Sequence, residues 1–148
     1  MDSGMVIRFP LVLVAGCFAM LSSCSFVRKP EVNQPQVLAT AKSVYVVRDN
    51  PSNEAGAFIE SAIAQRGLQV TSGPMATKRK EADLYVEYVD SWAWDITMYL
   101  KSLRVTVRDN KNGTLVASGR FHQGFPHSFP NAAVKSKEVV DKIFTPGS

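Results

Sequence analysis

His122 and His127 are the only imidazoles in the chain, and they bound the acid–base chemistry it can perform. A serine or cysteine nucleophile needs a base within hydrogen-bond reach. No Gly-x-Ser-x-Gly elbow is present, and the cysteines are Cys17 and Cys24 alone. With an Asp or Glu from elsewhere, His122 and His127 could hold a zinc ion. Their spacing, at a strand end and in a loop, equally fits two ordinary loop histidines. Glu87 and Asp90 could do acid–base work, but on a strand with a wet face they read as solvated charges. No phosphate loop and no Cys-x-x-Cys occurs. The expectation is a protein without enzymatic activity, metal or cofactor. The alternative is a small envelope enzyme such as a metal-assisted hydrolase.

Aromatic side chains offer a different chemistry. Trp92 and Trp94 are two residues apart, so in an extended strand their rings share a face. With Tyr99, and with Phe125 and Phe129 further along, they could form a platform for stacking on a sugar or docking on a protein. The opposing expectation is that the same rings cap the edge of the core, where Trp is commonly buried.

Cys24 carries the clearest signal. Arg8 is followed by an uncharged run from Phe9 to Met20, too short to span a membrane as a mature helix and of signal-peptide length. The run ends in Leu21-Ser22-Ser23-Cys24, which resembles the lipobox of bacterial lipoproteins: a branched apolar residue, two small residues and a cysteine. This implies cleavage before Cys24 and fatty acids attached to its thiol. Cleavage discards Cys17, so no disulfide is expected even in an oxidising compartment, and stability must come from a packed core. Residue 25 is Ser, whereas Asp there is the usual signal for retention in the inner membrane. The expected location is therefore the outer membrane, facing the periplasm. Asp2 offsets Arg8 in a weak n-region, so translation starts at Met1 or at Met5.

The chain has 148 residues, and 17 Lys and Arg against 13 Asp and Glu give a net charge of +4. Charge scattered along a sequence mostly marks a solvated surface. A tethered basic protein could favour anionic lipid head groups, lipopolysaccharide or acidic glycans, but an exported chain does not meet nucleic acid. The expected partners are the membrane, through Cys24, and an envelope protein or glycan.

The elements that would position these residues follow from patterning. Residues 1–23 are the leader. Residues 24–41, with Pro30 and Pro35 and no apolar period, are expected to be the lipidated cysteine and a flexible tether. Residues 42–148 suit a single α/β domain. Ser43-Val44-Tyr45-Val46-Val47 is apolar on both faces, as in a strand covered on both sides. Asn50-Pro51 starts a helix on which Ala55, Phe58, Ile59, Ala62 and Ile63 recur at helical spacing until Gly67. Leu68 to Thr71 completes a βαβ unit, and Gly73 to Glu81 is a loop or one helical turn. Leu84, Val86 and Tyr88 alternate with Asp83, Tyr85 and Glu87. In the run Ile96 to Arg108 the alternation slips near Lys101-Ser102, which predicts a bend or bulge. Asp109 to Gly113 turns a hairpin, beyond which Leu115, Ala117 and Phe121 point inward. A last helix runs from about Asn131 to Phe144. The order β-α-β-β-β-β-α predicts an α+β or α/β fold with a mixed sheet of about five strands and two helices on one face.

Taken with the leader and lipobox, the segments Ala82-Asp83-Leu84-Tyr85-Val86-Glu87-Tyr88 and Trp94-Asp95-Ile96-Thr97-Met98-Tyr99-Leu100 and the Asn112-Gly113 hairpin resemble small proteobacterial lipoproteins of uncharacterised function. More distantly, the element order is similar to the compact domains of lipoprotein activators of penicillin-binding proteins and to the N-terminal domain of the Tol-system periplasmic protein. Those are partner-binding modules, and the resemblance implies a membrane-anchored partner-binding or scaffold role. No residue-level functional motif passes from them to this chain.

Overall fold

The computed structural model describes residues 25–50, 54–77, 81–124 and 129–145. The leader, Cys17 and Cys24 lie outside them, as do Phe125 and His127. Among the described residues no helix is long and apolar enough to cross a membrane.

The main elements follow the sequence pattern. β3 (Ser43–Val47) is continued by α2 (Glu54–Ala64) and β4 (Gln69–Gly73), and β4 pairs in parallel with β3 to complete the βαβ unit. A single 3-10 turn, Met75–Thr77, then leads toward β5 (Leu84–Trp94), which lies parallel to β3 on its other side. β5, β6 (Met98–Asp109) and β7 (Leu115–Gln123) form an antiparallel meander. α3 (Ala132–Phe144) closes the chain, its first turn capped by the Asn131 side chain accepting from the Val134 amide at 3.1 Å.

The main difference concerns residues 25–40, expected to form a tether. β1 (Ser25–Val27) and β2 (Glu31–Val32) both pair antiparallel with β7, and α1 (Pro35–Thr40) follows them. Among the described residues the sheet therefore has seven strands rather than about five, in the order β1-β7-β6-β5-β3-β4 with β2 also on β7, and there are three α-helices rather than two. The cause is the edge of β7, whose free N–H and C=O groups attract any extended segment. Segments of two and three residues are too short to show a period of their own. Leu38 of α1 is buried in the main core, which adds apolar contact to this pairing.

That core lies between the sheet and the helices. Val44 and Val46, Leu84 and Val86, and Leu103, Val105 and Val107 meet Ala55, Ile59 and Ile63 of α2 and Val139, Val140 and Ile143 of α3. Full burial of one such side chain contributes roughly 1.5 to 3 kcal/mol. Tyr45 and Val47 face the other way and pack with Ala82 and Tyr85, so β3 is covered on both sides as its composition predicts. Gly119 on β7 lets α3 approach closely: a Cβ there would stand 2.9 Å from Ile143 Cδ1 and 3.0 Å from Val139 Cγ1.

Two bulges shape the meander. Ser91 pairs with Ser102 but Trp92 pairs with Leu100, so Lys101 is skipped in the β5–β6 ladder, at the place where the alternation slips. Val107 pairs with Ala117 but Arg108 pairs with Leu115, so Val116 is the extra residue on β7. Its carbonyl accepts from the Asn33 and Gln34 amides at 2.8 and 3.2 Å. This second bulge corrects one expectation. Leu115, predicted to point inward, turns to the face opposite the helices beside Arg108, while Val116 takes a core position.

Candidate functional site

The aromatic segment lies on a two-stranded arm. β5 pairs with β3 only at Leu84, Tyr85 and Val86, and β6 pairs with β7 only from Ser102 onward. Among the described residues Trp92, Ala93 and Trp94 therefore have strand partners only in Leu100, Tyr99 and Met98. The arm ends in a turn closed by the Asp95 amide donating to the Thr97 carbonyl at 3.2 Å.

Along this arm the two indoles separate. Trp92 is half-buried against the main core, and its Nε1–H donates to the Asp90 carboxylate. Tyr99 is 7% exposed and meets the edge of the Phe129 ring at a centroid distance of 5.4 Å. Trp94 lies beyond the core and is 73% exposed, with Ile96 at 84% and Met98 at 57%. Trp92 and Tyr99 thus anchor the base of the arm, and its tip displays three large apolar side chains. Four residues before Trp92 on β5, the Tyr88 phenol lies beside the Arg48–Glu60 ion pair, itself closed at 3.2 Å, and its pKa is pushed up by burial.

The position of the chain start relative to the arm follows from register. Ser25 pairs with Gln123 at the end of β7, and the neighbouring His122 pairs with Ser102 where β6 enters the arm. Ser25, bonded to Cys24, therefore sits at the end of the sheet from which the arm projects.

His122 is exposed on β7 between Phe26 and Ser102, while His127 lies outside the described residues. Among the described residues no three of His, Cys, Asp and Glu are grouped to hold a metal ion. Glu87 pairs with Arg108 at 3.0 Å rather than with Asp90.

Sequence reading missed a second feature, on the face of the sheet without helices. Arg104 of β6 and Arg120 of β7 are direct cross-strand partners there. With Arg108, Arg28 and Lys29 they line an open groove of about 370 Å³, joined by Thr106, Ser118 and Glu31. Arg108 is engaged with Glu87 and with the Gly113 carbonyl at 3.1 Å. Arg104 and Arg120 are exposed and make no ion pair among the described residues. The alternation of Arg104, Thr106 and Arg108 is visible in sequence; the approach of Arg120 and of residues 28–29 depends on strand pairing that it does not display.

No protein-family model and no curated protein matches the sequence. Solved structures of PelC share the fold. A single-residue variant of the PelC dodecamer from Paraburkholderia phytofirmans superposes with a TM-score of 0.56 at 18% identity, covering 82% of this chain and 96% of that one. The PelC dodecamer in a second crystal form gives 0.54 at 15% identity, with the same coverage of 82% and 96%. A minor lipoprotein from Acinetobacter baumannii gives 0.31 at 12% identity, covering 70% of this chain and 82% of that one.

Proposed function

We propose that this chain is an outer-membrane lipoprotein, held by acyl chains on Cys24, that acts as a non-catalytic scaffold and holds a partner close against the membrane. The observation that supports the reading is the placement of Ser25 at the same end of the sheet as the arm tipped by Trp94, Ile96 and Met98. Cα atoms of bonded residues are about 3.8 Å apart, so a lipid on Cys24 would join the sheet without a tether between them. A bilayer reached from that end would meet the exposed indole and its aliphatic neighbours, and Trp favours the membrane–water interface. Acyl chains supplemented by an apolar contact also hold more firmly than a single weak signal.

Metabolic labelling with palmitate tests the anchor: the native chain takes up label, and Cys24→Ala does not. Label on the Cys24→Ala chain would refute lipidation at that residue. Because the two PelC structures are dodecamers, the partner is first sought as a second copy of this chain. Crosslinking in intact envelopes followed by mass determination distinguishes self-assembly from capture of another envelope protein or a glycan.

A further inference from the structure

We propose that the helix-free face of the sheet binds a linear polyanionic glycan, carrying carboxylate or phosphate groups, across the groove centred on Arg104 and Arg120. Direct cross-strand partners stand roughly 4.5 to 5.5 Å apart at Cα, and like charges so placed repel. Glu31 lines the same groove and offsets part of this repulsion; an anion lying between the two guanidinium groups relieves the rest, since each can grip a carboxylate or phosphate with two N–H donors.

The cations are arranged for an extended ligand. Arg28 and Lys29 flank Arg120 from the N-terminal segment, where the Arg28 amide donates to the Arg120 carbonyl at 3.0 Å, while Arg108, four residues and about 13 Å along the strand from Arg104, is already paired with Glu87 and only closes the far end of the groove. Thr106 and Ser118, direct partners between the arginines, add hydroxyl groups suited to sugar hydroxyls. Leu115 is the one large aliphatic side chain among the described residues lining the groove, and none of the aromatic anchors that a protein interface uses is among them. A lipid head-group layer approached from the Ser25 end would touch one end of this row, whereas a strand lying along β6 and β7 can engage all of it.

The full-length chain, purified in detergent, is titrated with alginate oligosaccharides, with neutral dextran and poly-glutamate as comparisons. The expected result is binding to alginate that weakens as salt is raised. It is lost by about tenfold or more in Arg104→Ser/Arg120→Ser, since each charged hydrogen-bonding partner contributes on that order. Arg104→Lys/Arg120→Lys retains most of the binding. Thermal unfolding of the serine variant is unchanged or shifted upward, an outcome that a structural role for these arginines would not give. No binding to alginate, equal binding to poly-glutamate or dextran, or full binding by the serine variant would each overturn the proposal.

Discussion

Arg104 and Arg120 face each other across β6 and β7 because Val116 is an extra residue between Leu115 and Ala117. Without it, the register set at Arg108 and Leu115 would place Arg104 opposite Gly119 and turn Arg120 to the core side, since one residue of slip exchanges the faces of a strand. The same bulge turns Leu115 outward and lets the N-terminal segment bind through the Val116 carbonyl.

This pairing makes a stability prediction. Arg120→Glu converts a repulsive cross-strand pair into an attractive one and should stabilise the fold by a few tenths to about 1 kcal/mol. Urea unfolding at low and high salt measures it, and the gain should shrink as salt screens the pair.

The indoles should respond differently to truncation. Trp92→Ala removes a half-buried ring packed on the core and should cost about 2 kcal/mol, below the 3 to 5 of a fully buried Trp. Trp94→Ala should stay within about 0.5 kcal/mol of the native protein. Thermal unfolding of the two single variants distinguishes an anchored base and a displayed tip from a pair of equivalent rings.

Asp83 stitches the start of β3 to β5. Its carboxylate accepts from the Lys42 and Ser43 amides at 2.8 and 3.0 Å and from the Ser43 hydroxyl at 3.0 Å. These bonds, the Lys42 amide foremost, hold its pKa below the ordinary 3.8. A depressed folded-state pKa contributes stability above the unfolded value and loses it as pH falls through the folded one. Asp83→Asn should therefore lower the melting temperature at neutral pH, with a deficit that narrows below about pH 4. A deficit independent of pH would show that the charge is not what matters.

Gly119 sets how closely α3 lies on the sheet. Gly119→Ala places its Cβ against Ile143 and should destabilise by about 1 to 3 kcal/mol. Trimming the neighbour in Gly119→Ala/Ile143→Val should return part of that loss, a non-additivity expected of residues in contact. Chemical denaturation of the single and double variants measures both.

The residues explain what could be read in advance. Strong periods, such as Leu103-Val105-Val107 or Ala55-Ile59-Ile63, report a buried face directly, and the Asn112-Gly113 turn and the slip at Lys101 report local geometry. The strands of residues 25–27 and 31–32 exist because β7 offers an edge, a long-range fact with no local period. Trp92 and Trp94 are alike in sequence spacing; what separates them is where the helices stop covering β5. The basic groove gathers residues 28–29, 104, 108 and 120, which look scattered until the strands are paired.

The most direct test of the membrane-apposed reading is the depth of Trp94. The chain has two tryptophans, so in Trp92→Phe, with the lipid on Cys24 intact, Trp94 is the sole indole. Its fluorescence is recorded on vesicles whose acyl chains carry bromine. The arm geometry predicts a blue shift and strong quenching for Trp94, and neither for Trp92 in the reciprocal Trp94→Phe protein. An unshifted, unquenched Trp94 in vesicle-bound protein would contradict membrane contact by the arm.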